Sequence, residues 1–181
     1  MKVFVINGTS FVGKSTALRL LHDRLPGKCA VMDGDDVGRV RPFELSREWL
    51  DLIQDNILSC ALNFDAAGVE YFLFAFPFPG PNRTGRLTSI FESRGYTLNW
   101  VNLIASDTAL EQRFRLRGGT KPQNLQLGID MNRTIAQTTG CFALDTTHLS
   151  PEEVASVVLE RILKESQAFG AVDTRQGRPR E

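Results

Sequence analysis

The chain has 181 residues, of which 42% are apolar and 23% charged, a balance typical of one globular domain with a sizeable core. Its 21 basic and 21 acidic side chains cancel, and this neutrality argues against a surface that holds a long nucleic acid by its phosphates. No apolar run reaches the roughly 18 residues needed to cross a bilayer, and no signal-peptide pattern opens the chain. The three cysteines are scattered, which is typical of a protein in a reduced compartment. We therefore expect a cytoplasmic protein without a membrane partner.

The first third of the chain alternates between strand and helix patterns. The run KVFVI at 2–6 predicts a strand that stops at Asn7-Gly8, and apolar residues at helical spacing over 14–25 predict a helix. A second strand is predicted at 29–32, and it ends in an acidic turn over 33–36.

The alternation continues towards the C-terminus. The remaining predicted elements are a helix after Ser46 that ends near Gly68, a strand over 71–76, a helix over 83–93, a strand over 96–105, a helix over 107–117, a polar loop over 120–128 with weak helix beyond it to 139, a strand over 141–144 and a helix that starts at Ser150-Pro151. About five strand–helix alternations predict a three-layer α/β fold, in which a five-stranded parallel sheet is flanked by helices. We expect one domain over 1–169 and a flexible polar tail over 170–181.

The turn after the first predicted strand carries a phosphate-binding pattern. The segment GTSFVGKS fits GxxxxGK[ST], in which glycines let backbone N–H groups converge on phosphate oxygens at the start of a helix. The lysine of the pattern reaches the β- and γ-phosphates, and the hydroxyl that follows it coordinates Mg²⁺. The predicted nucleotide contacts are Gly8, Thr9, Ser10, Phe11, Val12, Gly13, Lys14, Ser15 and Thr16, and the predicted ligands are ATP, as co-substrate, and Mg²⁺.

The acidic turn lies at the edge of the predicted sheet where open α/β folds bind ligands. Asp33 and Asp35 are two residues apart and share a face of an extended segment, whereas Asp36 points elsewhere. Transfer of a phosphoryl group to an alcohol uses one carboxylate to accept the hydroxyl proton and another to serve Mg²⁺. The alternative is an Asp-Gly turn with solvated acids.

The segment GTSFVGKST followed by MDGDDV resembles the small P-loop kinases, a group that includes shikimate kinase, gluconate kinase, adenylylsulfate kinase and the chloramphenicol phosphotransferases. This resemblance implies a P-loop NTPase fold with a short lid. It also assigns Asp33, with Ser15, to Mg²⁺ and Asp35 to the acceptor hydroxyl as its base. One departure is that the predicted strand YFLFAF ends without the acid that many P-loop proteins have there.

Arg113 and Arg117 are four residues apart and share one face of the helix predicted at 107–117, away from Arg115. Arginine can clamp phosphates and stabilise the charge of a transferred group. The stretch resembles the lid of the small kinases, with hinge freedom supplied by residues 118–122. The alternative is a basic last turn that complements the helix dipole.

Two further groups are candidates. Thr146 and Thr147 follow the last predicted strand. In similar kinases the turn at this position runs beside the adenine ring of ATP, so the two threonines are predicted to contact the base; an ordinary helix start is an equal alternative. The acceptor pocket is predicted to include four arginines that follow the second and third strands; the alternative is a solvated rim. They are Arg39, Arg41, Arg83 and Arg86.

These patterns predict a kinase that moves the γ-phosphoryl group of ATP to a hydroxyl of a small molecule. Two other functions stay open: a nucleotide-gated regulatory ATPase, and a kinase acting on nucleic-acid ends or modified bases. The identity of the acceptor, the preference for ATP over GTP and the choice between monomer and homodimer are also open.

Overall fold

The computed structural model describes residues 1–42 and 44–173, apart from the side chains of 81–83 and 168–173. Five strands occur in these ranges, and they are β1 (Lys2–Asn7), β2 (Cys29–Asp33), β3 (Tyr71–Phe76), β4 (Leu98–Ile104) and β5 (Phe142–Asp145). The helices between and after them are α1 (Lys14–Arg24), α2 (Arg47–Ala66), α3 (Pro81–Glu92), α4 (Asp107–Leu116), α5 (Pro122–Ala136) and α6 (Pro151–Asp173). A short 3-10 helix, Gly34–Val37, follows β2.

The strands form one parallel sheet in the order β2-β3-β1-β4-β5. β1 is central, and its last residue, Asn7, is level with Phe76 of β3 and Asn102 of β4. The carboxyl ends of the strands therefore meet at one edge, and the phosphate-loop motif leaves the sheet at the middle of that edge. The predicted five-stranded parallel sheet is confirmed.

The two faces of the sheet carry separate apolar clusters, because successive side chains of a strand point in opposite directions. Phe4 and Ile6 of β1 pack with α1, α4 and α6, whereas Val3 and Val5 pack with α2 and α3. Every residue of β3 is buried, as expected for a strand covered on both faces. Burial of one large apolar side chain contributes roughly 1.5–3 kcal/mol, so these layers supply the main stabilising free energy.

Serine side chains cap the starts of two of the helices. The Ser46 hydroxyl accepts a hydrogen bond from the Trp49 amide at 3.2 Å and so caps α2 at its start. Ser106 caps α4 in the same way, through the amide of Ala109 at 3.2 Å. Among the described residues, no helix combines the length with the apolar character that a bilayer crossing requires.

The predicted polar loop over 120–128 is wrong. Helix α5 begins at Pro122, and only residues 117–121 separate it from α4. Proline is tolerated in a first helical turn, and the buried face of α5, which includes Gly128, Asn132 and Ile135, stabilises a helix that its local sequence favours only weakly. At the other end, α6 continues to Asp173, past the start of the tail expected from 170, and 174–181 lie outside the described residues.

Candidate active site

The segment between β1 and α1 is a tight loop at the carboxyl edge of the sheet. Gly8 lies so close to β4 that a Cβ there would sit 2.7 Å from the carbonyl oxygen of Leu103. Gly13, which precedes α1, has a φ of 104°, a conformation that L side chains rarely adopt. Both glycines of the motif are thus required by the local backbone, and the free N–H groups of the first turn of α1 face the loop.

Phe11 lies in the middle of this loop and has a φ of 69°, the single positive φ found outside glycine in the described chain. This left-handed conformation costs an L residue roughly 1–2 kcal/mol. The Phe11 ring contacts the ring of Phe114 in α4 edge to face, with centroids 5.4 Å apart. The strained residue is therefore held by a contact with another element.

Lys14 turns back over the loop, where its Nζ donates a hydrogen bond to the carbonyl oxygen of Thr9 at 2.9 Å. Burial lowers the pKa of Lys14 to about 8, although the carboxylates of Asp33 and Asp35 act in the opposite direction. Without an anion beside it, the ammonium group thus releases its proton more easily than an exposed lysine does.

Ser15 and Asp33 are joined across the cleft between α1 and β2. The Ser15 hydroxyl donates to Asp33 Oδ2 at 2.6 Å, and Asp33 Oδ1 accepts from the backbone N–H of Asp35 at 3.2 Å. A hydroxyl and a carboxylate are oxygen donors of the kind that Mg²⁺ prefers alongside substrate phosphates. No cluster of three or more His, Cys, Asp or Glu able to hold a metal occurs in the described ranges.

A cavity of about 170 Å³ lies over the loop, with Lys14, Ser15, Asp35 and Arg117 among its lining residues. Loss of solvent and the neighbouring charge of Asp33 raise the pKa of Asp35, against the attraction of Lys14 and Arg39. The Asp35 residue is nevertheless open to solvent at the cavity mouth. The cavity thus combines two cations, a hydroxyl and a carboxylate with increased proton affinity.

A second cavity, of about 210 Å³, adjoins the first, and Phe11, Gly13 and Arg117 line both. Its walls are largely apolar and include Leu149 and Val154 at the start of α6. The two cavities differ in polarity in the way that the two ends of a nucleotide do. A flat aromatic base would fit the larger, apolar cavity, and its phosphates would extend into the smaller, polar cavity beside Lys14.

The predicted base-contacting threonines differ in placement. Thr146 lines the second cavity and is 1% exposed. Arg113 donates to the Thr146 carbonyl oxygen at 2.6 Å and to its hydroxyl at 3.0 Å. Thr147 is instead bonded to the Asp145 carboxylate and to the Ser106 amide, where it ties β5 to α4.

The two predicted lid arginines also differ in their contacts. Arg113 is tied to Thr146, and its desolvation lowers the pKa of its guanidinium. Arg117 ends α4, is exposed, and lines both cavities. Of the two arginines, Arg117 alone lines the cavity over the loop, whereas Arg113 lines only the second cavity and holds the β5–α6 turn against α4.

The predicted acceptor arginines differ in exposure and in their ion pairs. Arg39 pairs with Asp36 at 3.0 Å and is exposed, as is Arg41. Arg86 pairs with Asp51 at 3.2 Å and Asp55 at 2.8 Å of α2. The side chain of Arg83 lies outside the described residues.

Sequence reasoning missed the apolar walls of the second cavity and the contact of Phe114 with the loop. Leu149, Pro151 and Val154 carry no chemical signal, because apolar residues at helical spacing are usually core. Thr9 was predicted as a loop contact, but its hydroxyl is completely buried and faces Gly128 of α5. It is the one buried side-chain oxygen without a hydrogen-bond partner in the described chain.

Comparison with known proteins supports the fold. The tunicamycin resistance protein of Deinococcus radiodurans superposes with a TM-score of 0.69 at 23% identity, over 89% of this chain and 95% of that one. The chain has the fold of the small P-loop kinases. The APS kinase of Mycobacterium tuberculosis, solved with AMPPNP and APS, gives a TM-score of 0.68 at 16% identity, over 88% of this chain and 95% of that one.

A gluconokinase from Sinorhizobium meliloti gives a TM-score of 0.63 at 17% identity, over 93% of this chain and 96% of that one. No protein-family model and no curated protein sequence matches the chain. The fold prediction is confirmed by these superpositions, whereas the assignment of individual residues rests on the geometry above.

Proposed function

We propose that the protein transfers the γ-phosphoryl group of MgATP to a hydroxyl group of a small molecule. The observation that carries the proposal is the convergence of Lys14, Ser15, Asp35 and Arg117 on one cavity above a glycine-bounded phosphate loop. The structural neighbours are named as kinases of gluconate and APS and as a tunicamycin resistance protein, which supports a small hydroxyl-bearing acceptor.

Donor binding follows from the loop and the second cavity. The adenine ring would occupy the apolar space beside Leu149 and Val154, and the phosphates would follow the loop to Lys14. A triphosphate would favour the charged form of Lys14 and restore its proton affinity. Ser15 and Asp33 fit Mg²⁺, which when bound would neutralise charge on the β- and γ-phosphates.

Transfer then needs a base for the acceptor. In this proposal Asp35 accepts the hydroxyl proton, the hydroxyl oxygen attacks the γ-phosphorus, and the bond between the γ-phosphorus and the β–γ bridging oxygen breaks, releasing ADP. The raised pKa of Asp35 supports its role as the proton acceptor. Arg117 would stabilise the negative charge on the transferred group.

Two of the predicted acceptor arginines, Arg39 and Arg86, are paired with carboxylates, so the positive charge that they offer an acceptor is partly compensated. An ATP-consumption screen should therefore include neutral hydroxyl compounds, such as nucleosides and antibiotics, beside sugar acids. A product heavier than its acceptor by one phosphoryl group is the expected result.

The variant Asp35→Asn tests the base assignment. We expect it to lower turnover by roughly 100-fold or more with nucleotide affinity retained, because the acceptor loses its base. Asp36→Asn is the matched control, since Asp36 is the adjacent exposed carboxylate and pairs only with Arg39 among the described contacts. Normal turnover in Asp35→Asn would exclude that residue as the base, and failure of the native protein to bind MgATP would exclude the function itself.

A further inference from the structure

The strained backbone of Phe11 is not explained by phosphate binding alone. A bulky residue in the left-handed region persists only where its surroundings hold it, and such residues concentrate at functional sites. Here the surroundings belong to α4: the Phe114 ring meets the Phe11 ring at an interplanar angle of 90°, and the guanidinium of Arg113 lies 3.5 Å from the Phe11 carbonyl oxygen.

The turn that follows α4 also holds Phe114 in place. Gly118, with a φ of 70°, donates to the carbonyl of Arg115, and Gly119 donates to the carbonyl of Phe114 at 3.0 Å. This pair of bonds is the Schellman arrangement, which reverses the chain at a helix end. As a result Gly119 lies against Phe114, and a Cβ at residue 119 would overlap its ring.

Arg117 lies between these anchors in the chain. It follows Phe114 by three residues, precedes the Gly118–Gly119 turn, and lines both cavities. Its neighbours Arg115 and Leu116 are exposed, the latter by 86%, so they do not hold this end of α4 against the protein. The position of Arg117 above the phosphate loop therefore depends on the seating of Phe114, together with the bonds of Arg113 to Thr146.

We propose that the Phe11–Phe114 ring pair is a positioning contact that holds Arg117 over the phosphate cavity. The proposal rests on the function proposed above. Phe114 lines neither cavity, so it acts through Arg117. The contact couples the backbone of the phosphate loop to the turn that follows α4.

Phe114→Leu is the test variant, because leucine keeps apolar volume and loses the aromatic edge. We expect kcat to fall roughly 10- to 100-fold, as small displacements of a catalytic group do, while the Kd of MgATP changes by less than about threefold. Phe64→Leu is the matched control: it removes a ring contact of the same 5.4 Å spacing, with Phe72, from the opposite face of the sheet. This control lowers thermal stability and leaves kcat unchanged.

A double-mutant cycle with Arg117→Ala tests whether Phe114→Leu lowers kcat through Arg117. The double variant should turn over no more slowly than Arg117→Ala alone, since the contact then has nothing left to position. The proposal would be overturned if the fold losses in kcat of the two single variants multiplied in the double variant. It would also be overturned if Phe114→Leu lowered kcat and the affinity for MgATP by equal factors.

Trypsin provides a readout that needs no substrate. In the ligand-free protein, Phe114→Leu should accelerate cleavage after Arg115 or Arg117 while other sites are cut at the native rate; unchanged cleavage there would contradict the contact. Phe11→Gly is the second variant if Phe114→Leu folds poorly, because glycine relaxes the backbone and removes the same ring. If the native protein binds no nucleotide, the proposed function fails while this assay still reports on the ring pair.

Discussion

Lys14 is the residue whose chemistry should be most visible in solution, because burial lowers its pKa to about 8 in the absence of nucleotide. A bound triphosphate favours the ammonium form and raises that pKa. Above pH 8 the free site has lost the proton that the bound site needs, so binding takes up a proton and weakens as pH rises. Below about pH 7 the lysine is charged in both states, and this dependence disappears.

We expect the affinity for MgATP to fall by up to about tenfold per pH unit above pH 8, as linkage to one proton requires. Calorimetry at pH 8.5 to 9 in two buffers of different ionisation enthalpy measures the proton uptake. Lys14→Arg keeps its charge across this range and should lose the dependence. A constant affinity between pH 7 and 9.5 in the native protein would contradict the account of Lys14.

At the scale of residues, a site feature could be predicted from the sequence when the residues that form it lie close together in the chain. Gly8, Lys14 and Ser15 could be recognised because the phosphate-loop motif is one contiguous segment, and Asp33 and Asp35 because a strand end places them at the same edge of the sheet. Other features depend on long-range contacts, such as the bond of Arg113 to Thr146 and the ring contact between Phe11 and Phe114. No local pattern encodes these partners.

At the scale of elements, Arg86 separates a structural role from a role in the acceptor pocket. It joins α3 to α2 through Asp51 and Asp55, and its side chain is 32% exposed. Ion pairs of this exposure contribute about 0–1 kcal/mol. We expect Arg86→Met to lower the free energy of unfolding by roughly 1–2 kcal/mol, measured by urea denaturation, because it removes two such ion pairs and the hydrogen bond to the amide oxygen of the buried Gln54.

The kinetic outcome for this variant then has a clear meaning. An increase in KM for the acceptor in a variant that remains fully folded under the assay conditions would support the predicted contact with the acceptor. Unchanged kinetics would leave Arg86 as a link between two helices. Arg47→Met is a suitable control, because Arg47 reaches the same Asp51 carboxylate from within α2 at 4.0 Å.

The helices also show where local pattern is insufficient. The strands and α1, α2 and α4 follow the apolar spacing of the sequence closely, since each carries a clear cap or a continuous apolar face. The first half of α5 is polar, and its helical state depends on packing of Gly128 beside Thr9 and on bonds between Asn132 and the Ala105 backbone. These contacts are tertiary, and a single sequence does not reveal them.

For the whole molecule, ligand binding should be measurable as stability. A ligand that binds only the native state at 100 times its Kd stabilises by about 2.7 kcal/mol. For a chain of this size each kcal/mol shifts the Tm by roughly 2–4 °C, so MgATP should raise the Tm by roughly 5–10 °C. Thermal unfolding monitored by circular dichroism measures the shift.

The control for this measurement is Lys14→Ala, which removes the ammonium group from the phosphate cavity and should show at most a small shift. AMP, which lacks the β- and γ-phosphates, should likewise stabilise the native protein far less than MgATP. Equal shifts with AMP and MgATP would mean that the cavity over Lys14 is not where the triphosphate binds.

The sheet separates the two apolar clusters, and with them the two halves of the proposed chemistry. The second cavity is built on the cluster that contains α1 and α6, whereas α2 and α3 cover the opposite face, and none of their described residues lines that cavity or the one over Lys14. Strand β3 belongs to both halves, with Leu73 and Ala75 in one cluster and Phe72 and Phe74 in the other. A chimera that receives only α2 and α3 from another protein of this fold, and keeps its own β3, is therefore expected to retain its nucleotide affinity.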